Sequence, residues 1–329
     1  HLYRLAEPGY AKNASAHRYF VDGPLTEADV QIDDAWQHLL IGSLGAGGKG
    51  LFALRLPLEG AEPSLLWDLT GGDGDTGASP TSASASASAS IPASAYIGHI
   101  LSRAEAGRLP NGQWVVVVGN GINSSIDRAA LLVIDVASGV VSAIPVGPSA
   151  DNGLTGVAVV RNANRDIVAL YGGDLQGHLW RFEYSADDES LKVGHGGRPL
   201  FKAGTLDQVQ PITAAPVVTR HDAHQMVLFG TGRLLTEADR QTTQVQAFYG
   251  VLDTVPAEQP SADLVLPGHA VVAERTPAFS ALTQIGSPPH QPLVVTASRL
   301  LSSKRPRVAS SMLLLTMPWW SGRRPVTMA

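Results

Sequence analysis

The stretch Ile167-Val-Ala-Leu-Tyr-Gly-Gly-Asp-Leu-Gln-Gly-His-Leu-Trp-Arg-Phe182 decides the fold. A short run rich in apolar residues ends at Gly172, a glycine-containing turn comes next, and a second apolar run begins at His178. Runs of this length bounded by glycine suit strands rather than helices, and two of them across a tight turn predict a β-hairpin. The same plan occurs three more times. His38-Leu-Leu-Ile-Gly42 precedes Leu51-Phe-Ala-Leu54; Val115-Val-Val-Val-Gly119 precedes Leu131-Leu-Val-Ile-Asp135; and Met226-Val-Leu-Phe-Gly230 precedes Phe248-Tyr-Gly-Val-Leu-Asp253.

The glycines that close the first strands, Gly42, Gly119, Gly172 and Gly230, stand 77, 53 and 58 residues apart. The long first interval contains Gly71 to Ser94, which opens Gly-Gly-Asp-Gly-Asp-Thr-Gly and runs into a Ser-Ala alternation; without those 24 residues the interval is 53. Such a tract has no side chains that fill a core, so it reads as a disordered loop insertion. A period of about 50 residues built from strand pairs is the size of one four-stranded propeller blade. The expectation is an all-β chain forming an incomplete β-propeller of about four to five blades over residues 1–280.

Composition agrees and removes several function classes. Of the 329 residues 44% are hydrophobic, with 34 Gly and 22 Pro, as expected for a globular chain with many turns. There is no cysteine, hence no disulfide framework, thiolate metal site or catalytic thiol. A net charge of −5 speaks against nucleic-acid binding. The sequence has no run of 18 apolar residues, so no membrane-spanning helix is expected. Opening on His1 rather than Met, the chain reads as a fragment whose export signal would lie elsewhere.

Six ordered blocks carry a resemblance: Arg18-Tyr-Phe-Val-Asp-Gly23, Gly42 through Leu54, Asn111 through Gly121, Tyr171 through Phe182, Gln210 through Val218, and Leu228-Phe-Gly-Thr-Gly-Arg233. Together they are similar to the C-terminal propeller of the PilC/PilY-type type IV pilus tip adhesin and biogenesis family. The resemblance implies a quinoprotein-like, modified propeller of seven blades at the bacterial cell surface, outer membrane or pilus tip. It also implies support of pilus assembly, twitching motility and attachment, with minor pilins and host or abiotic surfaces as partners, and no enzymatic activity. The alternative is the propeller of a quinoprotein-type (PQQ) dehydrogenase. Those enzymes resemble one another in an adjacent cysteine pair, which this chain lacks.

The resemblance further implies a calcium loop of alternating acidic or amide residues shortly before the Tyr171 strand. Asn162, Asn164 and Asp166 fall at the alternate positions, with the carbonyl of Val168 next. Hard oxygens in a tight loop are what calcium requires. The final carboxylate position, however, falls on Leu170, and Arg161 and Arg165 lie in the same loop. A weakened, degenerate calcium site is therefore expected.

Other motifs read as structure. Gly45-Ala-Gly-Gly-Lys-Gly50 fits the dinucleotide pattern, but it leads into a short apolar run ending at Pro57 rather than a phosphate-binding helix, so no nucleotide is expected. His221 and His224 have a spacing that can bind zinc, yet lack a neighbouring third ligand and read as a hairpin turn. Asp33-Asp34 and Asp187-Asp188-Glu189 read as solvated turn charges. Trp36, Trp114 and Trp180 are expected to anchor the core. All 29 acidic residues precede Arg275, whereas seven Arg or Lys occur from there on. Residues 281–329 are accordingly expected to be an atypical basic tail, irregular and disordered, of the kind a change of reading frame would produce.

Overall fold

The computed structural model describes residue 10 and residues 18–57, 60–70, 91–147, 151–204, 208–221 and 224–255. Most of the proposed insertion, residues 71–90, and the whole of the proposed tail lie outside the described residues. The tract's last two residues, Ala93 and Ser94, begin a 3-10 turn, Ala93–Tyr96, whose tyrosine is buried.

Among the described residues, sixteen strands form four antiparallel sheets in chain order. The first contains β1 (Leu25–Ile32), β2 (Ala35–Ser43), β3 (Leu51–Leu56) and β4 (Ser64–Asp68). The second contains β5 (Glu105–Arg108), β6 (Trp114–Gly119), β7 (Ala130–Asp135) and β8 (Val141–Pro145). The third contains β9 (Leu154–Arg161), β10 (Ile167–Asp174), β11 (His178–Ser185) and β12 (Ser190–Val193), with β13 (Phe201–Lys202) also pairing β11. The fourth contains β14 (Val217–His221), β15 (His224–Gly230) and β16 (Phe248–Asp253). The four hairpins read from the sequence are β2–β3, β6–β7, β10–β11 and β15–β16, all paired antiparallel. Each sheet is thus a blade, and contacts β1 to β5, β5 to β9 and β9 to β14 link the blades through their first strands.

Stacking blade on blade explains why the middle strands are apolar on both faces. Val116 and Val118 of β6 join Leu39, Ile41 and Ala53 in the core between the first and second sheets. Their neighbours Val115 and Val117 face the opposite way and join Leu154, Leu170 and Phe182. Tyr171 and Leu179 meet Val227, Phe229 and Val251 in the core between the third and fourth sheets. A strand covered on both sides loses the polar alternation of a half-exposed one. Each fully buried Val or Leu contributes about 1.5–3 kcal/mol, so a run of four valines ties three blades together.

Polar side chains pin the blades where backbone groups would otherwise go unpaired. Thr26 and Ser43 donate to the carbonyls of Ala104 and Ile100 in the next unit, both at 2.8 Å. Asn120 donates to the Tyr96 and Arg128 carbonyls and accepts from the Ala130 and Leu154 amides. Thr155 donates to the carbonyls of Gly173 and Ile212. At Gly119 a Cβ would lie 1.9 Å from the Thr155 carbonyl oxygen, so only glycine permits the close approach of the third sheet.

The tryptophans divide differently from expectation. Trp180 is buried, at 3% exposure, but Trp36 is 66% exposed and meets the half-buried Trp114 edge-on, with ring centroids 5.7 Å apart. The cause is local: Asp33 and Asp34, both with positive φ, make a two-residue hairpin turn that puts Trp36 beside the tip of β2. The buried tryptophan of the first sheet is Trp67, whose Nε1 donates to the Val136 carbonyl at 3.0 Å.

Candidate functional site

The loop carrying Asn162, Asn164 and Asp166 joins β9 to β10 beside the first strand of the second sheet. It is closed by backbone bonds from the Asn162 amide to the Asp166 carbonyl and from the Arg165 amide to the Asn162 carbonyl, each 3.0 Å. Arg165 takes the left-handed conformation, with φ 67°. The Asn162 side-chain oxygen accepts from the backbone amides of Asn164 and Asp166, both at 2.9 Å. The buried Asp166 carboxylate accepts from Arg108 Nε at 2.7 Å through Oδ1 and from Asn162 Nδ2 at 3.3 Å through Oδ2. Asn164 is exposed, while Val168 is buried in β10 at the irregularity between Ile167 and Ala169.

Arginines dominate the surroundings. Arg161 donates from Nη2 to the Ala106 carbonyl at 2.8 Å, and Glu105 Oε2 lies 3.8 Å from the same nitrogen. Burial lowers the pKa of the Arg161 guanidinium, and the charge of Glu105 opposes that shift. The structure therefore brings Asn162 and Asp166 together in one compact turn and adds Arg108 from 58 residues upstream.

The remaining sequence candidates lie in or beside turns. Gly45–Gly47 is a 3-10 turn, and after Gly48 to Gly50 the chain enters β3, so strand rather than helix follows the glycine-rich segment. His221 and His224 face each other across the β14–β15 hairpin. No group of three or more His, Asp or Glu suited to a metal occurs among the described residues. Asp187, Asp188 and Glu189 lie in the turn between β11 and β12, where Ser185 Oγ donates to Asp188 at 2.9 Å.

Two clusters escaped the sequence reading. In the first, Asp174 is fully buried; its Oδ2 accepts from Asn152 Nδ2 and Trp180 Nε1 at 3.1 and 2.9 Å and contacts His178 Nδ1 at 3.0 Å. Its Oδ1 accepts from the Gln176 and His178 amides. This carboxylate organises the glycine-rich turn between β10 and β11. In the second, Arg181 and Asp253 pair at 2.7 Å with neither side chain exposed, and Tyr171 donates its hydroxyl to the same Asp253 oxygen at 2.7 Å. Glu183 lies 3.0 Å from Arg181 Nε, and His195 Nε2 lies 3.6 Å from Asp253. The available signal was that Arg181 sits between the core residues Trp180 and Phe182 in an interior strand.

A cleft of about 610 Å³ near the fourth sheet is lined by Gln208, Gln241, Thr242, Thr243, Gln244 and two valines, with no titratable group among them. No helix among the described residues is long and apolar enough to cross a membrane.

Comparison with known proteins fits this arrangement of blades. The family model for the PilY1 beta-propeller domain matches residues 1–259. The chain belongs to the PilY1 β-propeller family. A type IV pilus biogenesis factor PilY1 homolog of Xylella fastidiosa is 36% identical over 257 residues, covering 75% of this chain and 19% of the relative. The type IV pilus biogenesis factor PilY1 of Pseudomonas aeruginosa PAO1 is 36% identical over 279 residues, covering 77% of this chain and 22% of the relative. The crystal structure of the Pseudomonas aeruginosa PilY1 C-terminal domain superposes with a TM-score of 0.62 at 33% identity, covering 78% of this chain and 54% of that one. The chain thus spans about a fifth of the length of these PilY1 relatives.

Proposed function

We propose that this chain is the propeller portion of a type IV pilus biogenesis factor, acting at the bacterial surface or pilus tip as a non-catalytic docking scaffold for minor pilins. The observation that carries the reading is the joint one of family and fold: a PilY1 propeller match over residues 1–259, realised as four stacked antiparallel sheets. The chemistry of the interior supports a scaffold. Buried charges such as Arg181, Asp253 and Asp174 are engaged in pairing and hydrogen bonding within and between blades, an arrangement that suits fixing geometry. Twitching motility and attachment to host or abiotic surfaces would follow from pili assembled with this factor. Nothing in the fold or the relatives favours the quinoprotein alternative.

The partner reading is tested by cross-linking in the native host and affinity purification of the tagged protein. Enrichment of minor pilins over a tag-only control is the expected result. Recovery of no pilin under conditions that retain the tagged protein at the cell surface would overturn it.

A further inference from the structure

We propose that Arg108 is the resident cation of the Asn162–Asp166 loop, taking the place of the calcium ion that the family resemblance implies there, so that this copy of the loop stays closed without metal. The inference rests on the family reading of that loop and not on any role in pilus assembly.

The donor set does not fit calcium. That ion takes six to eight oxygens, with carboxylates prominent among them. This loop offers one carboxylate, Asp166, and both of its oxygens already accept hydrogen bonds, from Arg108 Nε at 2.7 Å and from Asn162 Nδ2 at 3.3 Å. The Asn162 side-chain oxygen accepts two backbone amides at 2.9 Å each, so it too faces protons. Leu170, at the position where the family has a carboxylate, is buried and brings no side-chain donor. Arg108, Arg161 and Arg165 together surround the turn with positive charge, which opposes entry of a divalent cation.

What the loop lacks in ligands it gains in an internal counter-charge. The Asp166 side chain is only 7% exposed, and a carboxylate so buried is costly unless paired. Arg108 supplies the pair, and it does so from β5, the first strand of the neighbouring sheet. One contact therefore closes the turn and ties the second blade to the third. A metal-held loop responds to the ion's concentration; an arginine-held loop does not, because arginine stays protonated at all accessible pH.

The test uses the full 329-residue chain, freed of metal with EDTA. Calorimetric titration with calcium chloride is expected to give no heat that depends on Asp166, and the melting temperature is expected to be the same in calcium and in magnesium. Micromolar calcium binding that disappears in Asp166→Asn would overturn the proposal. A double-mutant cycle with Arg108→Gln and Asp166→Asn supplies the second readout: the double variant should lose less than the two singles combined, with coupling of about tenfold or more in the folding constant. Additive losses would overturn the proposal as well. Arg108→Lys keeps the charge and should retain more of the coupling than Arg108→Gln. All these readouts use purified protein, so they fail or succeed independently of the pilus assignment.

Discussion

Arg181 of β11 and Asp253 of β16 form a 2.7 Å ion pair with neither side chain exposed, bridging the third and fourth sheets. Arg181 also donates to the Val255 carbonyl at 2.9 Å, and Asp253 accepts from the Val255 amide at 3.0 Å, so the pair fixes the path of the chain just beyond β16. Removing one partner leaves the other charged and buried. Asp253→Ala is expected to cost about 3–5 kcal/mol, the range for breaking a buried pair. Urea unfolding of the variant beside the wild type measures it, and a loss below about 1 kcal/mol would show that the pair does not hold the blades.

The same carboxylate sets an acid limit. Burial alone would raise its pKa, but the nearby His195 imidazole and the charge of Arg181 outweigh burial and hold it at about 2. An unfolded Asp titrates near 3.9, so the folded value is depressed. The stabilisation is therefore complete above about pH 5 and is lost as pH falls toward 2, on the order of 2–3 kcal/mol in all. Melting temperature measured from pH 6 to pH 2 should fall in this window, and Asp253→Asn should flatten the fall.

Asp174 gives a sharper chemical test. One of its oxygens accepts from Asn152 and Trp180 and contacts His178 Nδ1, while the other accepts two backbone amides. An amide group in its place turns one acceptor into a donor facing donors. Asp174→Asn is expected to destabilise by about 2 kcal/mol or more despite its matching shape, because buried donors are left unpaired. Chemical denaturation checks the magnitude; a neutral substitution would mean that the turn is held by its glycines and backbone alone.

The tryptophans separate packing from position in the sequence. Trp180→Ala empties a buried site and is expected to cost about 3–5 kcal/mol, whereas Trp36→Ala removes a ring that is 66% exposed and should cost about 1 kcal/mol or less. Paired denaturation curves decide it, and equal losses would contradict the placement of Trp36 at the hairpin tip.

These residues also show how far the sequence could be read. The middle strands of each blade were legible because both their faces are buried and a glycine closes them, as in Val115 to Gly119 and Val168 to Gly172. The outer strands were not. β1, Leu-Thr-Glu-Ala-Asp-Val-Gln-Ile, alternates because only one face is covered, and β12, Ser-Leu-Lys-Val, is short and edge-placed. The Asn162–Asp166 loop could be located by alternation and resemblance, but its partner could not. Arg108 is one basic residue at the end of a four-residue strand, and only the stacking of the second sheet on the third brings it to Asp166. The Arg181–Asp253 pair is hidden for the same reason, since its members are 72 residues apart.

The most direct test of a role in pilus biogenesis is the amount of pilin sheared from the surface of a strain lacking the gene for this protein, compared with the same strain carrying it again. Surface pilin and twitching are expected to fall in the deletion strain and to return on complementation. Wild-type surface pilin in the deletion strain, with no other PilY1-family gene present, would contradict that role.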